Sequence, residues 1–315
     1  MPPADTRMTS LDWLLLLALS ILWGCSFLFG RIAVAEVPPL TLVLARVGIA
    51  ALALHLVLRV AGIRFAPGAA RWRDYAVMGL LNNLVPFGLI FFGQLEIGAG
   101  LAAVINGMTP FWSALIARAS GAERLPLHKV VGVILGFAGL AVTVGPAALD
   151  GLDAPLIAQL AVVGATISYG AASVFGRRFA GQPPLVTATG QLSASTLLVL
   201  PLALVVDMPW TLRLPGPAAL GAVLGLALIS TALAYILFFR VLASAGATNV
   251  ALVTLLIPVS AMALGALILG EIVEPRQLGG MGMIALGLAV IDGRLLDAVC
   301  RRPPSGVDGR AGLPR

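Results

Sequence analysis

Residues 98–145 read GAGLAAVINGMTPFWSALIARASGAERLPLHKVVGVILGFAGLAVTVG, and residues 245–293 read AGATNVALVTLLIPVSAMALGALILGEIVEPRQLGGMGMIALGLAVIDG. At one fixed offset of 148 residues, Pro110 falls on Pro258, Glu123 on Glu271, Gly132 on Gly280 and Gly139 on Gly287. Each copy is an apolar helix bearing a proline, a short turn bearing a glutamate, and a glycine-rich apolar helix. The echo continues upstream. Trp23-Gly24 falls on Tyr169-Gly170 at an offset of 146, as do Arg31 on Arg177, Pro38 on Pro184 and Thr41 on Thr187, while Phe91-Phe92 falls on Phe238-Phe239 at 147. An offset that drifts by single residues is what small loop insertions produce. A unit of about five helices is written twice.

Composition says where such helices live. The chain has 315 residues, of which 59% are hydrophobic and 11% charged. Its mean hydropathy is +1.02. A soluble domain carries about 25% charged residues, so these charges are too few to cover a water-facing surface, and most of the surface faces lipid. Two cysteines, Cys25 and Cys300, make neither a disulfide framework nor a metal site.

A membrane-spanning helix needs about 20 mostly apolar residues. The sequence supplies ten such segments: 11–34, 40–61, 72–93, 98–119, 127–144, 155–175, 184–206, 217–239, 247–269 and 277–295. Proline or glycine punctuates most connections (Pro38-Pro39, Pro67-Gly68, Pro183-Pro184, Pro215-Gly216-Pro217). The expected fold is an all-α integral membrane protein. Residues 1–10 form a tail, 11–146 a first five-helix repeat, 155–295 a second and inverted repeat, and 296–315 a charged, proline- and glycine-rich tail expected to be disordered. Ala33-Val34-Ala35 imitates a signal-peptidase site, but the apolar run before it is too long, and the repeat needs the first helix to be retained.

Basic residues set the expected orientation. With the N-terminus in the cytoplasm and strict alternation, cytoplasmic segments hold 16 of the 20 Lys and Arg residues, outer loops hold Arg31, Arg213 and Arg276, and Arg46 lies within a span. The net charge of +6 is therefore a topology signal and calls for no nucleic-acid partner. Both termini are expected in the cytoplasm. Because five is odd, the second unit enters the membrane from the opposite side. Transporters use such inverted halves and bind substrate between them near mid-membrane.

Several of these stretches carry a family resemblance. Trp23-Gly24-Cys25-Ser26-Phe27 with Arg31, Pro39-Leu40-Thr41 followed by Ala45-Arg46, and the Pro-to-Glu-to-Gly order of both halves resemble the drug/metabolite transporter superfamily in its ten-helix EamA type. The resemblance spans roughly residues 11–295. It implies export of small metabolites, amino acids among them, across the bacterial inner membrane. One departure stands out: the counterpart of Arg46 is Leu192, so that arginine serves one half alone.

Counting along the helices at 1.5 Å per residue places the candidate site. Trp23 and Tyr169 are repeat partners near the centres of helices one and six. An indole and a phenol each offer an apolar wall with a polar tip, so the pair reads either as helix packing or as walls of a central cavity. Ser26 shares the face of Trp23. Asn82 and Asn83 sit at mid-span, where an amide either bonds across helices or lines a cavity that holds a zwitterion by neutral dipoles. Asn106, Thr109 and Ser113 stripe the fourth helix, and Thr231 and Tyr235 of the eighth face the same interior. The expected substrate-binding set is Trp23, Ser26, Asn82, Asn83, Asn106, Tyr169, Thr231 and Tyr235.

Other residues read as structural or gating. Pro110 and Pro258 kink their helices, and Pro110 frees a carbonyl near residue 106. Arg46 is a cation inside a span, with Glu36 as its expected partner and Arg31 as a competitor. Glu123 and Glu271 are expected to cap the helices that follow them. Trp112 is expected to face lipid and His55 to be a packed histidine. Gly132, Gly136, Gly139, Gly280, Gly282 and Gly287 mark close-packing helices.

Absences narrow the chemistry. No G-x-x-x-x-G-K precedes Lys129, so no Walker A site is present, and no cofactor is expected. HExxH and GxSxG are missing, which leaves no visible intramembrane hydrolase machinery. No acidic residue lies deep in a span, which speaks against a proton antiporter built on a buried carboxylate and against an organic-cation exporter. The expectation is a transporter of small neutral or zwitterionic solutes.

Overall fold

A computed structural model describes residues 9–121, 126–145, 154–250 and 252–292. All the regular structure among them is helical. Ten helical segments follow in order: α1 (Ser10–Ala33), α2 (Pro39–Val60), α3 (Ala69–Gly93), α4 (Ala99–Ala119), α5 (Leu127–Val144), α6 (Ala154–Phe175), α7 (Pro184–Val206), α8 (Pro217–Gly246), α9 (Val253–Leu269) and α10 (Pro275–Asp292). The first eight are long and apolar enough to cross a membrane, and α9 and α10 are shorter apolar helices. Leu52, Val60, Val205 and Leu267 lie on the outside at 72%, 81%, 74% and 83% exposure, a surface suited to hydrocarbon. Residues 1–8 of the predicted N-terminal tail, the whole predicted C-terminal tail and Glu123 fall outside the described residues; Thr9 caps α1 and Ser10 begins it.

The two halves pack as related copies. Helix α1 lies on α9 and α6 lies on α4; α2 pairs with α7 and α5 with α10; α3 packs on α7 and α8 on α2. Each contact has a counterpart in which the two helices have exchanged repeats. The glycines show the sense of the relation. A Cβ on Gly132 would meet the Gly287 carbonyl at 2.6 Å, and one on Gly139 the Gly280 carbonyl at 2.8 Å. Early α5 thus touches late α10, and late α5 touches early α10. The helices run antiparallel about a twofold, so the repeats are inverted.

Local irregularities differ from a plain hydropathy reading. Helix α8 continues past the predicted end at Phe239, carries Arg240 within it, and stops at Gly246, whose φ of +79° a side chain would disfavour. Helix α4 breaks at Gly107-Met108, just before Pro110, and Thr109 Oγ1 donates to the Asn106 carbonyl at 2.9 Å. That hydroxyl satisfies the carbonyl which the proline leaves without an N–H. Pro258 instead lies inside a continuous α9.

Two further breaks were not expected. Residues Leu80–Leu84 of α3 and Gly225–Leu233 of α8 are wound as π-type turns, with the Val85 N–H bonded to the Leu80 carbonyl and the Ala234 N–H to the Ile229 carbonyl. They occupy overlapping positions in the two repeats. Pro86 brings no N–H to this region, and Ser168 Oγ of α6 donates to the Leu81 carbonyl at 2.7 Å. Such turns rotate the residues after them relative to a regular helix and concentrate at functional sites.

Candidate functional site

The two repeats enclose a cavity of about 340 Å³. Trp23, Ser26, Asn82, Asn106, Tyr169, Thr231 and Tyr235 line it, together with Arg46 and Pro258. Apolar walls come from Met78, Phe87, Ile90, Phe91, Phe238 and Ile257, and further hydroxyls from Thr109, Ser173, Ser230 and Thr254. Seven of the eight residues expected from sequence to touch substrate therefore meet at one place.

Asn83 does not. It is 0% exposed, and its Nδ2 donates to Ser195 Oγ of α7 at 2.8 Å. Successive residues of a helical turn point to different sides, here within the π-type turn, so when Asn82 faces the cavity its neighbour faces a helix. Asn82 Nδ2 donates to the Tyr235 hydroxyl at 3.2 Å. Gln191 of α7 joins them, its Nε2 donating to the same hydroxyl at 3.2 Å. The sequence reading passed over Gln191; its signal was a lone amide about two turns into α7.

The aromatic residues stand as two walls. The Trp23 ring lies 5.6 Å from that of Phe238, and Tyr169 meets Phe87 edge-on at 6.5 Å. Helix approach on both sides is set by small residues. Gly24 leaves room for Ser260 of α9, and its partner Gly170 leaves room for Trp112 of α4. Trp112, expected at the lipid face, is half-buried between helices, edge-on to Phe137 at 5.1 Å with its Nε1 buried. His55 is packed, with Nε2 3.0 Å from Ser193 Oγ and its ring against Phe65.

Arg46 departs furthest from expectation. Glu36 is not its partner; that carboxylate accepts from the Gly216 N–H at 2.6 Å. Arg31 is also engaged elsewhere, donating to the Gln94 and Leu95 carbonyls. Arg46 instead crosses between repeats, where its Nε donates to Thr231 Oγ1 at 3.0 Å and its guanidinium lies 3.7 Å from the Phe87 ring centre. Thr231 Oγ1 in turn donates to the Leu226 carbonyl at 2.7 Å, within the π-type turn. Among the described residues no carboxylate lines the cavity.

Glu271 is a second correction. It caps no following helix; its two oxygens accept from the Ala99 and Gly100 N–H groups at 2.7 and 3.0 Å, at the start of α4 in the other repeat. Gly98, Gly100 and Gly265 are small enough to admit the carboxylate. At the same end, Arg276 donates to the Val144 carbonyl at 2.9 Å, and its hydrogen bond to Glu274 holds that carboxyl below the usual carboxylate range. Among the described residues no cluster of metal-ligating side chains occurs.

The comparisons with known proteins agree with this architecture. A solved crystal structure matches with a TM-score of 0.66 at 19% identity, over 94% of this chain and 100% of that one, which establishes a shared fold. The inner membrane transporter YedA of Escherichia coli K12, itself uncharacterized, is 27% identical over 280 residues, 88% of this chain and 89% of its own. The uncharacterized transporter YoaV of Bacillus subtilis is 23% identical over 278 residues, 87% of this chain and 94% of its own. The profile of the EamA-like transporter family matches twice, over residues 12–145 and 156–292, once for each repeat. With both halves matched and the inverted pair closed around a lined cavity, the chain belongs to the EamA-like transporter family and is a multi-pass membrane transporter.

Proposed function

We propose that the protein exports small neutral or zwitterionic metabolites, foremost amino acids with apolar or aromatic side chains, by alternating access of its two halves. One observation carries this reading: the cavity between the inverted repeats combines aromatic walls with amides and hydroxyls and, among the described residues, is lined by no acidic group. Its volume of about 340 Å³ suits a single small solute, since ligand pockets run from about 300 to 1,000 Å³. The sequence carries no nucleotide-binding loop, so the reading needs no ATP hydrolysis by this chain. The distribution of arginines supports cytoplasmic termini, and the relative YedA supports the inner membrane as its location.

A multidrug or organic-cation exporter of the same fold is the competing reading, and a buried carboxylate at the cavity is what it needs. The lining offers a guanidinium instead. A membrane enzyme or scaffold without transport is disfavoured by the match of both halves to a transporter family. Flux of radioactive amino acids into proteoliposomes containing the purified protein tests the proposal, with cationic dyes as the contrasting panel. Uptake of leucine or phenylalanine above protein-free vesicles is the expected result. Dye movement without amino-acid movement would reverse the assignment.

A further inference from the structure

Arg46 is 6% exposed, and among the described residues it is the one charged group that lines the cavity. A buried guanidinium is ordinarily held by an anion, because desolvating it alone is costly. Among the described residues Arg46 forms no ion pair. Its bonding is lopsided. Nε is fixed by Thr231, and one face of the group is covered by the Phe87 ring at 3.7 Å, with Phe91 further off at 5.8 Å. These contacts hold the plane of the fork without occupying its two terminal nitrogens. Next to Thr231, the Ser230 hydroxyl is buried, lines the same cavity and has no hydrogen-bond partner.

We infer that Arg46 is the receptor for a substrate carboxylate. Two parallel N–H donors in a rigid fork match the two oxygens of a carboxylate, and that geometry separates arginine from a point charge. Thr231 and Phe87 act as positioning residues that aim the fork. The cavity also supplies an acceptor, since Asn106 Oδ1 is buried, lines it and is unpartnered. A carboxamide oxygen accepts from N–H groups, so it suits the ammonium of a zwitterion whose acid end sits on Arg46. An amine without a carboxylate would meet a buried cation and no counter-charge. This inference rests on the cavity being the transport site, and it makes the acid group of the solute obligatory.

The test compares alanine, leucine and phenylalanine with their amides and with the corresponding decarboxylated amines. Binding is measured by calorimetry on the purified full chain, and movement by counterflow in proteoliposomes. In the wild type the acids are expected to bind at least tenfold more tightly than their amides. Arg46→Gln is expected to abolish that preference, while Arg46→Lys keeps part of it with weakened affinity. Should Arg46→Gln fail to fold, Thr231→Val and the wild-type ranking decide, the former by narrowing the gap between acid and amide. Amides or amines that bind and move as well as the acids would overturn the role of Arg46 while leaving transport through the cavity intact. Failure of every compound to bind or move would remove the amino-acid reading, and this inference with it.

Discussion

The Tyr235 hydroxyl accepts from Asn82 Nδ2 and Gln191 Nε2, so one oxygen joins α3, α7 and α8 beside the cavity. Removing it leaves two amides without that acceptor. A buried donor that loses its partner costs about 1–3 kcal/mol, so Tyr235→Phe is expected to destabilise the detergent-solubilised protein by about that amount while leaving the aromatic wall in place. A thermal melt checks this, and an unchanged midpoint would show that water replaces the hydroxyl. The cluster also shows which residues sequence can place. Trp23, Tyr169 and Tyr235 were legible because hydropathy gives depth and the repeat gives partners. Arg46 was misread because Glu36 is close in sequence, whereas its real neighbours, Thr231 and Phe87, come from other helices. Asn83 was misread because a window of hydropathy fixes depth and leaves the face of the helix open.

At the scale of helices, α5 and α10 are bound by backbone contact. Gly132 has the Gly287 carbonyl 2.6 Å from where its Cβ would stand, and Gly282 of α10 has nothing within 4 Å. The two positions make a controlled pair. Gly132→Ala forces the helices apart, and overpacking of this kind costs about 1–3 kcal/mol. Gly282→Ala meets open space and gains up to about 1 kcal/mol of helix propensity. Opposite shifts in the detergent melting temperature are expected, and equal shifts would place the glycine contact outside the packing of α5 on α10. This packing was legible from glycine spacing alone. The π-type turns in α3 and α8 were not, because adding one residue to a turn changes neither the length nor the hydropathy of a span. They nonetheless set the faces on which Asn82 and Thr231 lie, and so decide the lining of the cavity.

Across the whole molecule, the repeats are tied together differently at the two ends. Where α1, α7 and α9 finish, three carboxylates each hold a helix start of the opposite repeat: Glu36 takes the Gly216 N–H, Asp207 takes the Thr41 N–H at 2.6 Å and its hydroxyl at 2.9 Å, and Glu271 takes Ala99 and Gly100. A helix N-terminus carries partial positive charge, which suits each anion. The other end relies on side chains. Ser244 Oγ donates to Asp12 at 2.6 Å, Tyr75 reaches Gln182 at 3.4 Å, and Arg178 stands 3.8 Å from Asp74. Gln182 occupies the position equivalent to Glu36, so the repeat leaves an amide where its twin has a charge. Inverted halves that alternate must release one set of contacts to form the other. Charge-assisted bonds of this kind contribute about 1.5–3 kcal/mol each, and a change of 1.4 kcal/mol shifts a two-state ratio about tenfold. Neutralising Glu36 and Asp207 together, as Glu36→Gln with Asp207→Asn, is therefore expected to favour the state open at that end by tenfold or more. The readout is a single cysteine at Ser26, in a chain with Cys25→Ala and Cys300→Ser, labelled by an impermeant thiol reagent applied from that end. Faster labelling in the double variant is the expected result. Labelling that slows, or does not change, would mean that these carboxylates stabilise helix starts without governing which face is open.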